Sequence, residues 1–436
     1  MTMAPEVARF MAALEQTQYL PPDRLQAYQR RLLDVLLRHA RSQTEFYADR
    51  LAPVFRADDS IDWERWEEVP ILTRSEVQQN FAALAALTLP PAAGGATEDF
   101  TSGSTGQSLR FLVTGLQGLA SDCCGERFFR WHNLDPGALT ARIRSTERPE
   151  AAYPHGRAFK PWRVGDEESR AIDLAITTPV ELQVEWLQRI RPQQLFSYPS
   201  NLREIARIAG AAGIDLHLDA ILTVGEMVSG ETRAALRTFF GSDPLDRYGS
   251  AEAGSLGLAC PHSGKHHVPA EIVRVEIVDD SDNPVAPGTP GRIIATPFYG
   301  LAMPLIRYDT GDHGVLSPEP CGCGRTLPTL ERILGRTRNV FHFVDGTSLW
   351  PLLVSSKVQA FVPHRQFQVV QVALDRIQYR YVPMAADQTI DIAGLTAFAR
   401  KMLHPSITVE AIAVDEIKSS AAGKYEDYLC LLPTPR

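Results

Sequence analysis

Thr101-Ser102-Gly103-Ser104-Thr105-Gly106 is a run of six small residues, four carrying hydroxyls and two of them glycines. Such a run cannot anchor a hydrophobic core. Glycines let the backbone bend sharply and approach a ligand closely. Successive N–H groups in such a turn form a concave anion site, to which hydroxyls add donors, and phosphate is the group that fits it. The same composition also describes a plain flexible loop. It is not a P-loop of the GxxxxGK[ST] kind, because Gln107 and not Lys follows Gly106.

Working outward, the chain alternates strands and helices. Pro21-Pro22-Asp23 opens a helix on which Leu25, Tyr28, Leu32, Val35, Leu36 and His39 recur at three- and four-residue spacing. Further helices are predicted over 118–132, 180–191, 201–212 and 230–240, with strands over 194–198 and 220–224. Strands separated by helices of about ten residues imply a parallel sheet covered by helices. In such sheets ligands bind beyond the carboxyl ends of strands, where this reading places Gly225 and Tyr248. From Ile272 the pattern turns to β alternation, at Val273, Val275 and Ile277 and again at Ile293-Ile294-Ala295, with a turn over 287–291. The last hundred or so residues alternate strands and helices again. The expected fold class is α/β with a small α+β lid. A large domain over 1–336 holds the helix-covered parallel sheet and a β-rich subdomain, and a mobile C-terminal domain covers 337–436.

Downstream of the hydroxyl and glycine run stand, in order, Gly225-Glu226, Tyr248-Gly249-Ser250-Ala251-Glu252, Arg307-Tyr308-Asp309-Thr310-Gly311-Asp312, Gly335-Arg336 and Gly423-Lys424. This ordered set resembles the adenylate-forming superfamily of acyl-CoA synthetases and adenylation domains. Within it the chain is most similar to the phenylacetate–CoA ligase branch and its capsule-polysaccharide-ligase-like relatives. Arg38-His39-Ala40, Phe46-Tyr47 and Pro70-Ile71-Leu72-Thr73 look like that branch's opening helices.

The resemblance implies ATP-dependent activation of a carboxylic acid, aryl or aryl-like, to an acyl-AMP, followed by thioester formation with coenzyme A. It assigns Thr101, Ser102, Gly103, Ser104, Thr105 and Gly106 to the ATP phosphates. Glu252 would hold Mg²⁺, since a hard cation bridging phosphates wants a carboxylate oxygen. Tyr248 would lie near adenine, with Gly249 and Ser250 beside it, and Gly225 and Glu226 would form the other wall of the adenine slot. Asp312 would accept from the two ribose hydroxyls, as two carboxylate oxygens can, with Arg336 assisting. Tyr198 and Ala251 would line the acid pocket, and Lys424 would be the catalytic lysine bridging the acid and the α-phosphate. The chain departs from the pattern at Gln107, where relatives often have Lys, at Ala251, where they have Ser or Thr, and at Arg338-Asn339, where they commonly have paired acids at the hinge.

A separate constellation is Cys260, His262, His266 and His267, followed by Cys321-Gly322-Cys323-Gly324. Thiolate and imidazole are zinc ligands, and four of them close a tetrahedral structural site. Cys260, His266, Cys321 and Cys323 would form a Cys₃His set clamping the β-rich region. The alternative is free thiols in a glycine turn beside a histidine-rich loop. Cys123, Cys124 and Cys430 read as small buried hydrophobes.

The bounds agree with an ordinary soluble globular protein. The 436 residues carry a formal charge of −8, with 44% hydrophobic and 22% charged residues, and no block of Lys and Arg suggests a nucleic-acid surface. The most apolar stretch, 81–96, is interrupted by Thr88, Pro90 and Pro91 and is too short to span a bilayer. The first sixteen residues carry acids and lack an apolar segment, so no secretory leader is expected and the cytoplasm is the default location. The expected partners are a small-molecule acid, ATP and CoA, with a homodimer allowed. Two other readings stay open: an adenylating enzyme that passes its acyl group to an amine or a carrier-protein thiol, and a non-catalytic nucleotide-binding paralogue.

Overall fold

A computed structural model describes residues 5–101, 108–146, 148–336, 339–351, 353, 355–385, 387–418 and 425–432. Its centre is a twelve-stranded mixed sheet. Across the sheet the strands begin at Val273, Gly291, Tyr308, Thr329, His266, Gly254, Leu245, Ala220, Gln194, Leu139, Arg170 and Arg157. The five from Leu245 to Arg170 in this order are parallel. The hairpin joining Leu245–Ser250 to Gly254–Ala259 turns the sheet antiparallel, so the β-rich region continues the parallel half by hydrogen bonds.

The predicted elements form where the periodicity places them. Val180–Ile190, Pro199–Ala211 and Gly230–Phe240 are helices, and Leu187, Leu202, Ile205 and Leu236 pack with strand residues Leu195 and Ile221 in one core. Each strand of the parallel half is followed by a turn that reverses the chain, and those turns share one edge of the sheet. In the helix Pro22–Gln43 the buried face is Leu25, Leu33, Leu36, Leu37 and Ala40. Val35, expected on that face, is 59% exposed. The sequence offers adjacent apolar pairs at 32–33 and 36–37, and the packed stripe is the one rotated by a residue.

Two fully buried ion pairs tie the helix Gly115–Trp131 into the large unit. Arg127 Nη1 meets Glu271 Oε1 at 2.6 Å, and Arg163 Nε meets Glu126 Oε2 at 2.8 Å. Cys123 and Cys124 lie buried on the same helix, where burial pushes their thiols up to about 11 and about 12.

The C-terminal unit has its own four-stranded sheet, with strands beginning, in order across it, at Thr408, Arg376, His364 and Tyr428. Its core runs from Phe341 to Tyr428 and includes Phe367, Val369, Tyr379 and Leu395. A large mixed sheet with helices plus a separate C-terminal α/β unit is the predicted architecture. Among the described residues no helix is long and apolar enough to cross a membrane.

Candidate active site

The hydroxyl and glycine run connects two antiparallel strands, Ala96–Phe100 and Arg110–Thr114, with Phe100 opposite Arg110. Thr101 closes this hairpin: its N–H donates to the Leu109 carbonyl at 2.9 Å and its Oγ1 accepts from the Leu109 N–H at 2.9 Å. Ser102, Gly103, Ser104, Thr105, Gly106 and Gln107 lie outside the described residues.

A second donor reaches Thr101 Oγ1, Arg74 Nη2 at 3.0 Å. Arg74 is absent from the sequence expectations. It opens the helix Arg74–Gln79, whose start is fixed by a capping box between Thr73 and Glu76. The segment before it docks on the large sheet, where the Leu72 N–H donates to the Arg307 carbonyl and the Asp309 N–H to the Leu72 carbonyl, each at 2.9 Å. That docking also sets the Arg74 guanidinium beside the Tyr308 hydroxyl. The recognisable signal is Thr-x-x-Glu directly after Pro70-Ile71-Leu72; the direction of Arg74 depends on the long-range pairing.

Glu252 lies in the turn between Leu245–Ser250 and Gly254–Ala259 and is 5% exposed. Its Oε1 accepts from the Tyr308 hydroxyl at 3.0 Å, and its carbonyl accepts from Gln117 Nε2 at 3.2 Å. Gly249 is required there, because a Cβ would stand 2.3 Å from the Gly254 carbonyl oxygen. Ser250 Oγ accepts from the Ala253 N–H at 3.1 Å, so it braces the turn, and Ala251 is exposed at its tip.

The Tyr248 hydroxyl donates to Asp312 Oδ2 at 2.9 Å. Asp312 faces Arg336 across paired strands, with Arg336 Nε 3.7 Å from Oδ1. Burial raises the Asp312 carboxyl above its ordinary value, while Arg336 and the Tyr248 bond oppose the rise. Tyr248, Asp312, Arg336, Tyr308, Glu252, Arg74 and Thr101 thus form a contiguous polar patch drawn from five separate parts of the chain.

The carboxyl ends of the parallel strands complete this edge. Gly225 ends Ala220–Val224 with φ +81°, a conformation that favours glycine, and Glu226 follows. Glu226 accepts from the Ser200 N–H and hydroxyl, both at 2.9 Å, and from the Tyr425 N–H at 2.7 Å. Tyr198 follows Gln194–Ser197, is 7% exposed, and accepts from the Ser145 N–H at 3.4 Å. That contact bridges the strand ends of Leu139–Arg144 and Gln194–Ser197, which lie on either side of the point where the strand order reverses. A crevice at such a point is where open α/β sheets bind ligands. Lys424 and Arg338 lie outside the described residues.

The cysteine constellation closes, with one correction. Ligand atoms of Cys260, His267, Cys321 and Cys323 all lie within 4.8 Å of one another. His267 Nε2 is 3.2 Å from Cys323 Sγ, and Cys260 Sγ is 3.6 Å from Cys321 Sγ. His266, the expected fourth ligand, is not in the cluster; its Nε2 meets Asp246 Oδ2 at 2.9 Å. The two histidines form a two-residue strand, where successive side chains face opposite ways. His267 is fully buried, burial pushes its pKa down to about 4, and its Nδ1 donates to the Leu327 carbonyl at 3.2 Å. A neutral imidazole oriented through Nδ1 presents the Nε2 lone pair, as a zinc ligand must. The donor set therefore fits a closed tetrahedral zinc, in which sulfurs stand ~3.7 Å apart given Zn–S bonds of ~2.3 Å.

A large mixed sheet followed by a separate C-terminal unit is a fold this chain shares with solved acyl-CoA ligases. Over 95% of the chain it matches 2-hydroxyisobutyryl-CoA ligase in the postadenylation state, with TM-score 0.76 at 19% identity and 91% of that chain covered. The same ligase in its thioesterification state gives 0.63 at 18% identity over the same coverage. In sequence the chain is similar to the phenylacetate–coenzyme A ligase of Thermus thermophilus, 31% identical over 199 residues, which are 43% of this chain and 44% of that protein. It is similar also to the fumarate–(S)-2,3-diaminopropanoate ligase of Enterobacter agglomerans, 30% identical over 181 residues, 40% of this chain and 44% of that protein. The aligned stretch spans less than half the length of these curated relatives. No family model matches the chain.

Proposed function

We propose that the chain activates a carboxylic acid with ATP and passes the acyl group to the thiol of coenzyme A. The observation that carries this reading is the convergence of Glu252, Tyr308, Arg74 and Thr101 at the base of a hydroxyl-rich hairpin, beside the Tyr248–Asp312–Arg336 group. One end of this patch suits phosphates and the other a vicinal diol.

In the first step a carboxylate oxygen of the acid attacks the α-phosphorus. The bond from that phosphorus to the bridging oxygen breaks, and pyrophosphate leaves with the electron pair. In the second step the CoA sulfur attacks the acyl carbon, AMP leaves, and the thiol proton passes to solvent or a nearby base. No redox change occurs. Arg74 and the hairpin hydroxyls would hold the triphosphate, with Arg74 giving positive charge where Gln107 gives none. Asp312 would hold the ribose and Tyr248 would fix Asp312. Magnesium, when bound, supplies charge shared with the phosphate oxygens, and Glu252 is the acid that would hold it. Lys424 would meet the acid and α-phosphate. Preformed groups aimed at developing charge are the main source of such catalysis.

The unit from 337 onward would act as the lid, turning between the two half-reactions. The better match to the postadenylation form of 2-hydroxyisobutyryl-CoA ligase supports a lid placed as in the first. The acid would sit near Tyr198 at the reversal of strand order. An aryl acid is one reading, supported by the phenylacetate ligase likeness. An amine acceptor is the second reading, supported by the likeness to a ligase of fumarate and a diamino acid. Zinc in the Cys260, His267, Cys321 and Cys323 set would be structural.

ATP–pyrophosphate exchange across a panel of acids tests the reading. Exchange with at least one acid, followed by acyl transfer to CoA, is expected. Exchange without transfer to CoA, but with transfer to an amine, would select the second reading. No exchange with any acid would remove both.

A further inference from the structure

Glu226 has a larger job than walling a nucleotide slot. Three donors fill its carboxylate: the Ser200 N–H on Oε2, and the Ser200 hydroxyl and Tyr425 N–H on Oε1. With Oε1 accepting twice and Oε2 once, little acceptor capacity remains for a base edge. The bond from Tyr425, at 2.7 Å, joins residues 199 apart in the chain and ties the C-terminal unit to the end of a strand in the large sheet.

Tyr425 is also fixed to its own sheet. Its hydroxyl donates to the Phe367 carbonyl. Gln368 Nε2 donates to the Glu426 carbonyl at 3.1 Å, and the Val369 N–H donates to the Asp427 carbonyl at 2.8 Å. The strand Tyr428–Cys430 then pairs in parallel with His364–Ala373. The backbone directly after Lys424 is therefore held from both sides, by its own sheet and by Glu226.

We infer that Glu226 is a positioning residue, whose carboxylate docks the Tyr425 amide, and with it the C-terminal unit, against the large sheet for the first half-reaction. This rests on the acid-activation reading above. A hydrogen bond from a backbone amide to a carboxylate is charge-assisted and directional, so it fixes register as well as contact. The same bond has to break when the C-terminal unit turns for the second half-reaction. Glu226 therefore weights the balance between the two arrangements toward the first.

Two measurements on the full chain test this. Residue-resolved hydrogen exchange reads the Tyr425 amide without any substrate. Glu226→Ala should speed its exchange about 10- to 100-fold, the effect of losing a bond to a charged group. Glu226→Gln, which keeps an acceptor oxygen, should restore most of the protection. If Glu226→Ala fails to fold, Glu226→Met removes the acceptor while keeping the volume. Unchanged protection in a folded variant overturns the inference, whatever the enzyme does.

The second measurement splits the half-reactions. Glu226→Ala should lower the kcat of ATP–pyrophosphate exchange by ten-fold or more, with the KM for ATP near that of the parent. Thioester formation from supplied acyl-AMP should fall much less. A raised KM for ATP with kcat retained would return Glu226 to the nucleotide slot and overturn the inference. A parent enzyme that exchanges with no acid would sink the acid-activation reading, and the hydrogen-exchange result would still decide the docking.

Discussion

The hydroxyl of Tyr308 donates to Oε1 of Glu252 at 3.0 Å, tying a strand of the antiparallel half of the large sheet to the hairpin turn where the parallel half ends. Tyr308 is 1% exposed and Glu252 5%. A buried carboxylate oxygen so bonded is held in one place, which is what a ligand to a phosphate-bound cation requires. Both side chains lie on the path from Arg74 to Asp312.

Glu252→Gln keeps the shape and removes the charge. Adenylation should fall about 10²- to 10³-fold, the scale of one preorganised electrostatic contact. Tyr308→Phe removes the orienting bond and the hydroxyl's contact with Arg74, and should cost about 10- to 100-fold, the scale of a hydrogen bond to a charged group. Pyrophosphate release read at saturating magnesium checks both. Near-parent release by Glu252→Gln would count against the site.

The cluster of Cys260, His267, Cys321 and Cys323 gives a prediction that separates two neighbouring histidines. Protein purified without added metal should carry about one zinc per chain by elemental analysis, as a four-ligand structural site binds a single ion. His267→Ala and Cys321→Ser should lose the metal and lower Tm more than they lower the intrinsic rate. His266→Ala should keep the metal, since His266 is bonded to Asp246. Metal-free protein of full stability would remove the site, and metal loss in His266→Ala alone would reverse the choice of ligand.

Much of this arrangement is legible in the sequence, because strands followed by amphipathic helices announce a parallel sheet and hence the edge on which ligands bind. What escapes depends on single-residue rotation or long-range pairing. Leu33 and Val35 flank Asp34 on one helix, and only packing decides that Leu33 goes inside and Val35 stays out. His266 and His267 are both plausible ligands, and the pairing of a two-residue strand decides which faces the cysteines. Arg74 carries no motif of its own; it matters because Leu72 pairs with Tyr308, far away in sequence. Glu226 stands beside the strand end that the sequence marks, yet its partner Tyr425 lies in another unit.

Asp312 predicts a pH dependence. Burial raises its carboxyl in the native protein, so the protonated form persists to higher pH than in the unfolded chain. Its contribution to stability is therefore full below the unfolded pKa and fades as pH rises through the native one. Ribose hydroxyls donate, so they favour the ionised form, and nucleotide binding should run the other way. AMP affinity should fall as pH drops below the raised value, approaching ten-fold per unit. Asp312→Asn should bind AMP weakly and lose this slope. Calorimetric titration of AMP at several pH values reads it, and an equal slope in the variant would assign the titration to another group.

Lys424 tests the two-arrangement mechanism itself. It directly precedes Tyr425, whose amide is bonded to Glu226 at the end of a sheet strand. If that arrangement serves the first half-reaction, the lysine's charge acts on the carboxylate attacking the α-phosphorus. On the proposed mechanism, turning of the C-terminal unit would break the Glu226 contact and end the lysine's part in the reaction. Lys424→Ala should therefore lose adenylation by about 10²- to 10³-fold, the scale of a charged contact in a desolvated site. The same variant, given chemically made acyl-AMP and CoA, should form thioester with a far smaller loss. Glu226→Ala should show the same asymmetry at lower amplitude, and the double variant should lose little more than Lys424→Ala, because the two act in series on one contact. Additive losses would separate Glu226 from Lys424. Equal loss of both half-reactions in Lys424→Ala would mean a single fixed placement of the C-terminal unit, and the turning mechanism would fall.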